Sequence, residues 1–260
     1  MKEILQTSIP YDALAERPLP GIAPLNIEEW LIVDDAYATQ MTLRNSLLSA
    51  KANLVSALSE GALPAAQEVL DLALEQLARR SDFEFRANKV RCPDGRVVTV
   101  DRAQPLRTLG QIIQEDICLM QKFGDEHVLT GAVLCFPASW TLSEKFMRPL
   151  IGMHVPVAEY DDNIAKRVQR LFDGVRAGRP LWRKNALWYD DPSLFTPRRE
   201  DAPRDPVPAT TGAYLRSEKQ CILRLPKTEA VVFSIHTFMV RREKVMQAPA
   251  TNREAGATGP

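Results

Sequence analysis

Only three histidines occur in the chain, His127, His154 and His236, and the middle one has the most directive surroundings. It lies in a segment that reads Cys-Phe-Pro-Ala-Ser-Trp from Cys135 to Trp140, then Glu144-Lys145, then Pro149-Leu150-Ile151-Gly152-Met153-His154-Val155-Pro156-Val157. A proline restricts the residue before it to extended geometry, so Pro156 fixes Val155 and with it the backbone that aims the His154 ring. A ring nitrogen held in one direction is what an axial ligand to a metal requires. The competing reading is a histidine hydrogen-bonded at the end of a strand. Three histidines are too few for most multi-histidine centres, which leaves a single-histidine site. The four cysteines, Cys92, Cys118, Cys135 and Cys221, show no Cys-x-x-Cys spacing, so neither a zinc ribbon nor a cysteine-ligated iron-sulfur cluster is indicated.

The elements that must position these residues follow from hydrophobic spacing. From Asp34 to Glu60, Met41, Leu48 and Val55 recur at heptad spacing with Leu47, Leu54 and Leu58 beside them, and Asp34 or Asp35 offers a cap, which predicts an amphipathic helix. Pro64 opens a second helix with Ala66, Leu70, Ala73 and Leu77 on one face and Arg79-Arg80 at its carboxyl end, and the two are expected to pair as a hairpin. A third helix is expected from Pro105 to about Lys122, with Leu109, Ile112, Ile113, Ile117 and Met120 as its stripe. Arg96 to Val100, after Pro93-Asp94-Gly95, reads as a short strand. The apolar run from Val128 to Phe136 reads as a buried strand that delivers Pro137 to Trp140 at its end.

Asp161 is expected to cap a helix whose face carries Ile164, Val168, Leu171, Phe172 and Val175, with Gly178 as its left-handed stop. Leu181 to Tyr189, Tyr214 to Leu225 and Ala230 to Val240 are strand expectations, the last two joined as a hairpin across Pro226-Lys227-Thr228-Glu229. Thr196 to Pro208, with four prolines and many charges, suits a solvated excursion, and Ala248 to Pro260 suits a disordered tail. The fold class is therefore α+β. A mainly helical portion over 1–125 precedes a sheet region over 126–245 and a tail over 246–260.

Composition narrows the partners. A chain of 260 residues with 45% hydrophobic residues can bury a substantial core. Its 33 basic and 33 acidic residues cancel, so no global field would hold nucleic acid or an anionic membrane. Residues 1–12 have no apolar core of signal-peptide length, and the longest apolar stretch, near Val128 to Phe136, is too short to span a bilayer. A soluble protein of the reducing cytoplasm is expected, with no nucleic acid or membrane partner.

Trp30, Arg44, the Gln114-Glu115-Asp116 run, the Cys135 to Val157 segment, Arg183 with Asn185, and Tyr214 to Gln220 before Leu225-Pro226 together resemble the haem-dependent oxidative N-demethylase family. The resemblance runs from about Trp30 to Phe238. It implies a PAS-like antiparallel sheet that holds haem b. Electrons from NADPH would arrive through a separate reductase carrying FMN and an iron-sulfur cluster. The implied reaction oxidises a small methylated amine, dimethylamine-like, with dioxygen and releases formaldehyde. The family's histidine before Pro-Val falls on His154, which becomes the expected proximal ligand to the haem iron. Arg183 and Arg216 could pair with haem propionates, since a guanidinium fork matches a carboxylate, although each could equally form a surface salt bridge. Trp140, Trp182 and Phe136 could pack on the macrocycle, although aromatics at strand spacing are more often core.

The implied substrate is a protonated amine at neutral pH, so its pocket should offer a carboxylate or aromatic faces. Glu218, on the same strand face as Arg216, is a candidate for that carboxylate and equally suits a structural partner of Arg216 or Arg224. Asp190 and Asp191 follow it. The chain departs from the family where Ile-Arg-Thr-Tyr is common and it has Ile235-His236-Thr237-Phe238, and where Pro-Val-Pro is usual and it has Pro156-Val157-Ala158. The first departure makes His236 a rival ligand. No Gly-x-Gly-x-x-Gly follows a strand, so a separate reductase is implied. A PAS-like haem sensor or carrier without turnover is the second reading. A non-haem iron site built on His127, His154 or His236 with a carboxylate is the third.

Overall fold

The computed structural model describes residues 3–15, 21–150, 162–202 and 205–247, with the backbone alone for 162–166. Its centre is a seven-stranded sheet in which every pairing is antiparallel. In chain order the elements are β1 (Ala23–Pro24), α1 (Tyr37–Ala50), α2 (Ala52–Val55), β2 (Ser56–Leu58), α3 (Leu63–Ala78), β3 (Glu84–Arg86), β4 (Lys89–Arg91), β5 (Val97–Thr99), α4 (Pro105–Ile112), β6 (Asp116–Phe123) and β7 (Glu126–Val133). There follow α5 (Leu142–Lys145), α6 (Asp162–Gly174), β8 (Leu181–Tyr189), β9 (Tyr214–Arg224), β10 (Val231–Arg241) and α7 (Arg242–Gln247). The sheet order is β1-β8-β9-β10-β6-β7-β2, and β3-β4-β5 form a separate small sheet. The class is α+β. Strands β1, β2 and β6, from the N-terminal portion, share one sheet with β7 to β10.

Residues paired across an antiparallel ladder point to the same side. The register therefore puts three rows on one face: Arg183-Gln220-Ile235, Asn185-Glu218-Thr237 and Leu187-Arg216-Met239. The alternate rows, Trp182-Cys221-Ser234, Lys184-Lys219-His236 and Ala186-Ser217-Phe238, face the other way. The second face lies under the N-terminal helices, in a core that includes Trp30, Met41, Leu48, Leu70, Leu109, Ile117, Leu119 and Val232. The first face carries a smaller apolar cluster of Cys118, Met120, Leu142, Phe172, Ile222 and Val231, with Trp140 and Phe146 packed against it.

The β9–β10 hairpin forms as expected, and α3 fastens its turn. The Glu68 carboxylate accepts hydrogen bonds from the backbone N–H of Lys227 at 2.7 Å and of Thr228 at 2.8 Å. Two expected helices end early. The third stops at Ile112, and the chain reaches Ile113 in extended conformation at φ −110° and ψ 154°. Ile117 then joins the core on the helical side and Met120 the cluster on the other side. An apolar residue every third or fourth position fits a helix stripe and also a strand buried on both faces, and burial on both faces decides here. Likewise the first helix ends at Ala50, and Ser56 to Leu58 pair with β7 as an edge strand.

Helices α1 and α3 do not form the expected hairpin; each packs against α4. That seat is close at Gly110, where a Cβ would lie 2.7 Å from Val133 Cγ2, so only glycine lets α4 approach β7 this closely. Helix α6 ends at Gly174, before Gly178, whose φ of +74° serves the Arg176–Arg179 turn instead. The expected disordered tail from Ala248 lies outside the described residues.

Candidate functional site

Arg216 and Glu218 share one sheet face, as expected for positions two apart on a strand, and the β8–β9 register brings Arg183 onto the same face. Arg216 is buried and fully engaged. Its Nε donates to Glu218 Oε1 at 3.2 Å, its Nη1 to the Leu194 carbonyl at 3.2 Å, and its Nη2 to the Phe136 carbonyl. Glu218, 7% exposed, receives a second hydrogen bond on Oε2 from Gln220 Nε2 at 3.0 Å. Two flanking polar groups have no such partner. Arg183 Nε and Thr237 Oγ1 are both buried without a hydrogen bond among the described residues. Burial lowers the Arg183 pKa from its usual value, and the nearby charge of Glu218 opposes that effect. Asn185 and Leu187, on the β8 side, are exposed, so the ledge opens to solvent there and deepens toward β10.

The Cys135 to Trp140 stretch crosses the Arg216 end of this face. Phe136 supplies its carbonyl to Arg216, Pro137 accepts from Thr196 Oγ1 at 3.0 Å, and Ala138 bridges to Thr196. The proline-rich excursion is therefore a fastener as well as a solvated loop. Its Glu200 pairs with Lys145 at 2.6 Å and Arg148 at 3.1 Å, and its backbone N–H donates to Glu144 at 3.1 Å. Trp140 packs against the apolar cluster on the same face. Trp182 lies on the opposite face, where Lys219 Nζ sits 5.5 Å from its ring centroid.

His154, the expected axial ligand, lies outside the described residues. His236 is not a free ligand, because both of its ring nitrogens are taken: Nδ1 lies 2.9 Å from Glu115 Oε1 and Nε2 3.0 Å from Asp34 Oδ2. Burial alone would lower its pKa, but the two carboxylates carry it up to about 9. It is therefore a cation near neutral pH, caged on the helix-covered face. His127 sits at the far end of the open face, against Phe172 of α6 at 5.6 Å. Its Nδ1 is 2.9 Å from Gln169 Nε2, while its buried Nε2 has no partner among the described residues. Burial shifts its pKa down, against the pull of Asp173. Among the described residues no group of three or more histidine, cysteine, aspartate or glutamate side chains is placed to hold a metal ion.

Behind the ledge lies a buried polar network that reaches the ledge face at Asp116, the register partner of Ile235. Arg44 donates to Asp116 at 2.6 Å and to the carbonyls of Gly110, Gln114 and Glu115, while Asp116 also accepts from the backbone of Cys135 and Phe136. Gln114 bridges Asp34 and Gln40, and both Gln6 and Gln40 donate to the Thr237 carbonyl. This network holds β10 from behind, at the residue whose hydroxyl faces the ledge. Thr237 and Gln220 were not singled out from sequence; the signal was present as strand alternation from Glu218 and the hairpin register. The cage around His236 had no such signal, because Asp34, Glu115 and His236 are brought together only by the packing of α1 and β6 on β10.

A family model described as haem-dependent oxidative N-demethylase, alpha subunit-like, matches residues 21–257.

Proposed function

The chain belongs to the haem-dependent oxidative N-demethylase, alpha subunit-like family, and from that membership we propose that it oxidatively demethylates a small secondary amine at the sheet face bearing Arg183 and Glu218. The observation that carries this reading is the half-buried Arg183 guanidinium, unpartnered among the described residues, beside an oriented carboxylate and above an apolar cluster. Those residues fit a haem b, which Arg183 would hold through a carboxylate and Trp140 and Phe146 would wall with apolar surface. His154 would hold its iron, and the sheet would be the PAS-like platform. When bound, the haem supplies dioxygen activation, with electrons from NADPH through a separate reductase carrying FMN and an iron-sulfur cluster.

The chain's own residues bind and orient the amine. Glu218 attracts the ammonium group, and its carboxylate cannot swing because Arg216 and Gln220 hold one oxygen each. Arg216 acts by fixing Glu218 and anchoring the Phe136 and Leu194 carbonyls that close that end of the face. Oxidation at an N-methyl group needs the neutral amine, and Glu218 gives the departing proton a carboxylate oxygen to move to. The apolar cluster excludes bulk water from the methyl group.

The decisive experiment is the absorption spectrum of the purified protein, with formaldehyde measured after adding dimethylamine, NADPH and a competent reductase. A Soret band at about one haem per chain is expected, lost in His154→Ala and kept in His127→Ala. Glu218→Gln should reduce formaldehyde release more than haem content, since it keeps shape and removes charge. Haem binding without formaldehyde across a panel of methylated amines would instead identify a haem sensor or carrier. Absence of any Soret band would end the haem reading.

A further inference from the structure

Three charged side chains meet on the open face. Two are cations, Arg183 and Arg216, and one, Glu218, is an anion. Arg216 and Glu218 neutralise each other in a buried pair at 3.2 Å, so the surplus positive charge resides on Arg183. Arg183 has no hydrogen bond or ion pair with any described residue, and its Nε is shielded from water. Thr237, in the row next to Arg183 and two strands away, is 1% exposed and its hydroxyl is likewise unpartnered. Two strand spacings and a two-residue offset along the strands put these groups roughly 12 Å apart at the backbone, a gap the long arginine side chain narrows. A buried donor without an acceptor is costly, and two of them on one ledge point to an acceptor that comes from outside the chain.

The structure assigns Arg183 and Thr237 to a carboxylate-binding subsite adjoining Glu218. The chemistry selects a carboxylate on three counts. Its charge matches the surplus cation. Its two oxygens can accept from the guanidinium and the hydroxyl together. Its planarity suits a guanidinium fork. Two sources offer that group. One is a haem propionate. The other, which rests on the demethylase reading above, is the substrate itself: an N-methylated amino acid would set its ammonium on Glu218 and its carboxylate on Arg183. The site would then prefer a zwitterion to a simple dialkylamine.

Binding to the full-length protein tests this, with N-methylglycine, acetate and dimethylamine as small probes, and haem and its dimethyl ester as large ones. Titration calorimetry on haem-free protein gives a readout that does not depend on turnover. If the substrate supplies the carboxylate, N-methylglycine binds more tightly than dimethylamine. Arg183→Met then weakens N-methylglycine roughly 10- to 100-fold and Thr237→Val roughly 2- to 10-fold, with dimethylamine little changed, as expected for losing a charged and a neutral hydrogen bond. If a propionate supplies it, haem binds more tightly than its ester, and both substitutions erase that difference. Arg183→Lys, which keeps the charge and loses the fork, should recover part of either effect. Unchanged affinity of both variants for N-methylglycine, acetate, haem and the ester would overturn the subsite. A protein that binds carboxylates through Arg183 but never takes up haem would retain the subsite while removing the demethylase reading.

Discussion

The two faces of the central sheet carry charged side chains of the same kinds in different states. On the helix-covered face, Asp34, Glu115 and His236 engage one another, and Arg44 reaches Asp116 at the start of β6; among the described residues, Glu115 Oε2 is the one acceptor of this network that is buried without a partner. On the open face, the Arg216-Glu218 pair is complete, but Arg183 and Thr237 have groups with nothing to meet among the described residues. A buried charge that finds its partner inside the fold is accounted for by folding. One that does not is accounted for by something the fold binds. The residues on which the resemblance was read divide along a similar line: Trp30, Arg44 and Gln114 to Asp116 belong to the buried scaffold, while Arg183, Asn185, Arg216 and Glu218 line the open face.

The sharpest way to break this comparison is at Arg44. Removing one partner of a fully buried ion pair strands the other, at a cost of about 3–5 kcal/mol. Arg44→Met should therefore destabilise the chain by roughly that amount in urea unfolding, because Asp116 would lose the cation it pairs with among the described residues while still tied to the Cys135 and Phe136 backbone. The same loss with saturating ligand present is expected, since the hydrogen bonds of Arg44 go to Asp116 and to the carbonyls of Gly110, Gln114 and Glu115 and not to Arg183, Glu218 or Thr237. A change below about 1 kcal/mol, within the range of exposed pairs, would show that this network is not a stability element.

His236 should have a smaller effect that depends on pH. Its folded pKa of about 9 stands above the ordinary 6.5, since the carboxylates of Asp34 and Glu115 outweigh the opposing effect of burial. A raised pKa means that the protonated form is favoured in the fold. Its stabilisation is therefore complete below about pH 6.5 and disappears as pH rises to about 9. Each pKa unit corresponds to about 1.4 kcal/mol, so the loss is on the order of 3 kcal/mol. Asp34 behaves oppositely: burial would raise its pKa, but hydrogen bonds from His236, Gln114 and Gln6 bring it below its ordinary 3.8, and its stabilisation is lost only in acid. Unfolding free energies from pH 6 to 10 should fall in the wild type and lie nearly flat in His236→Gln. An equally steep fall in that variant would assign the pH dependence to another group.

Much of this arrangement was legible in sequence where the pattern is local. Once Tyr214 to Arg224 is read as a strand, its two-residue period puts Arg216 and Glu218 on one face, and the hairpin turn fixed β9 against β10. The β8 assignment then brought in Arg183. Local pattern failed where a segment is buried on both sides, as at Ile117 and Met120, because apolar residues on both faces of a strand imitate a helix stripe. It also failed for contacts between distant segments. Nothing near His236 in sequence announces Asp34, which is 202 residues away. Whether a given arginine is paired or vacant is likewise a tertiary property, which is why Arg183 and Arg216 read alike in sequence and differ in the fold.

The smallest expected effect is the most discriminating for the comparison, because it is a predicted lack of harm. Arg183 makes no hydrogen bond or ion pair with the described residues, so Arg183→Met removes a half-buried cation and leaves none of them unpaired behind it. Stability in urea should stay within about 0.5 kcal/mol of wild type, the range of surface substitutions that break nothing. Thr237→Val keeps the shape of a fully buried side chain and deletes an unsatisfied hydroxyl, so the ligand-free variant should be equal to or more stable than wild type by up to about 1 kcal/mol. Saturating ligand should reverse the ranking, because stabilisation by a ligand scales with its affinity for the fold, and both variants bind it less tightly. A loss of 2 kcal/mol or more in either ligand-free variant would place Arg183 or Thr237 among the structural groups and remove the distinction between the two faces.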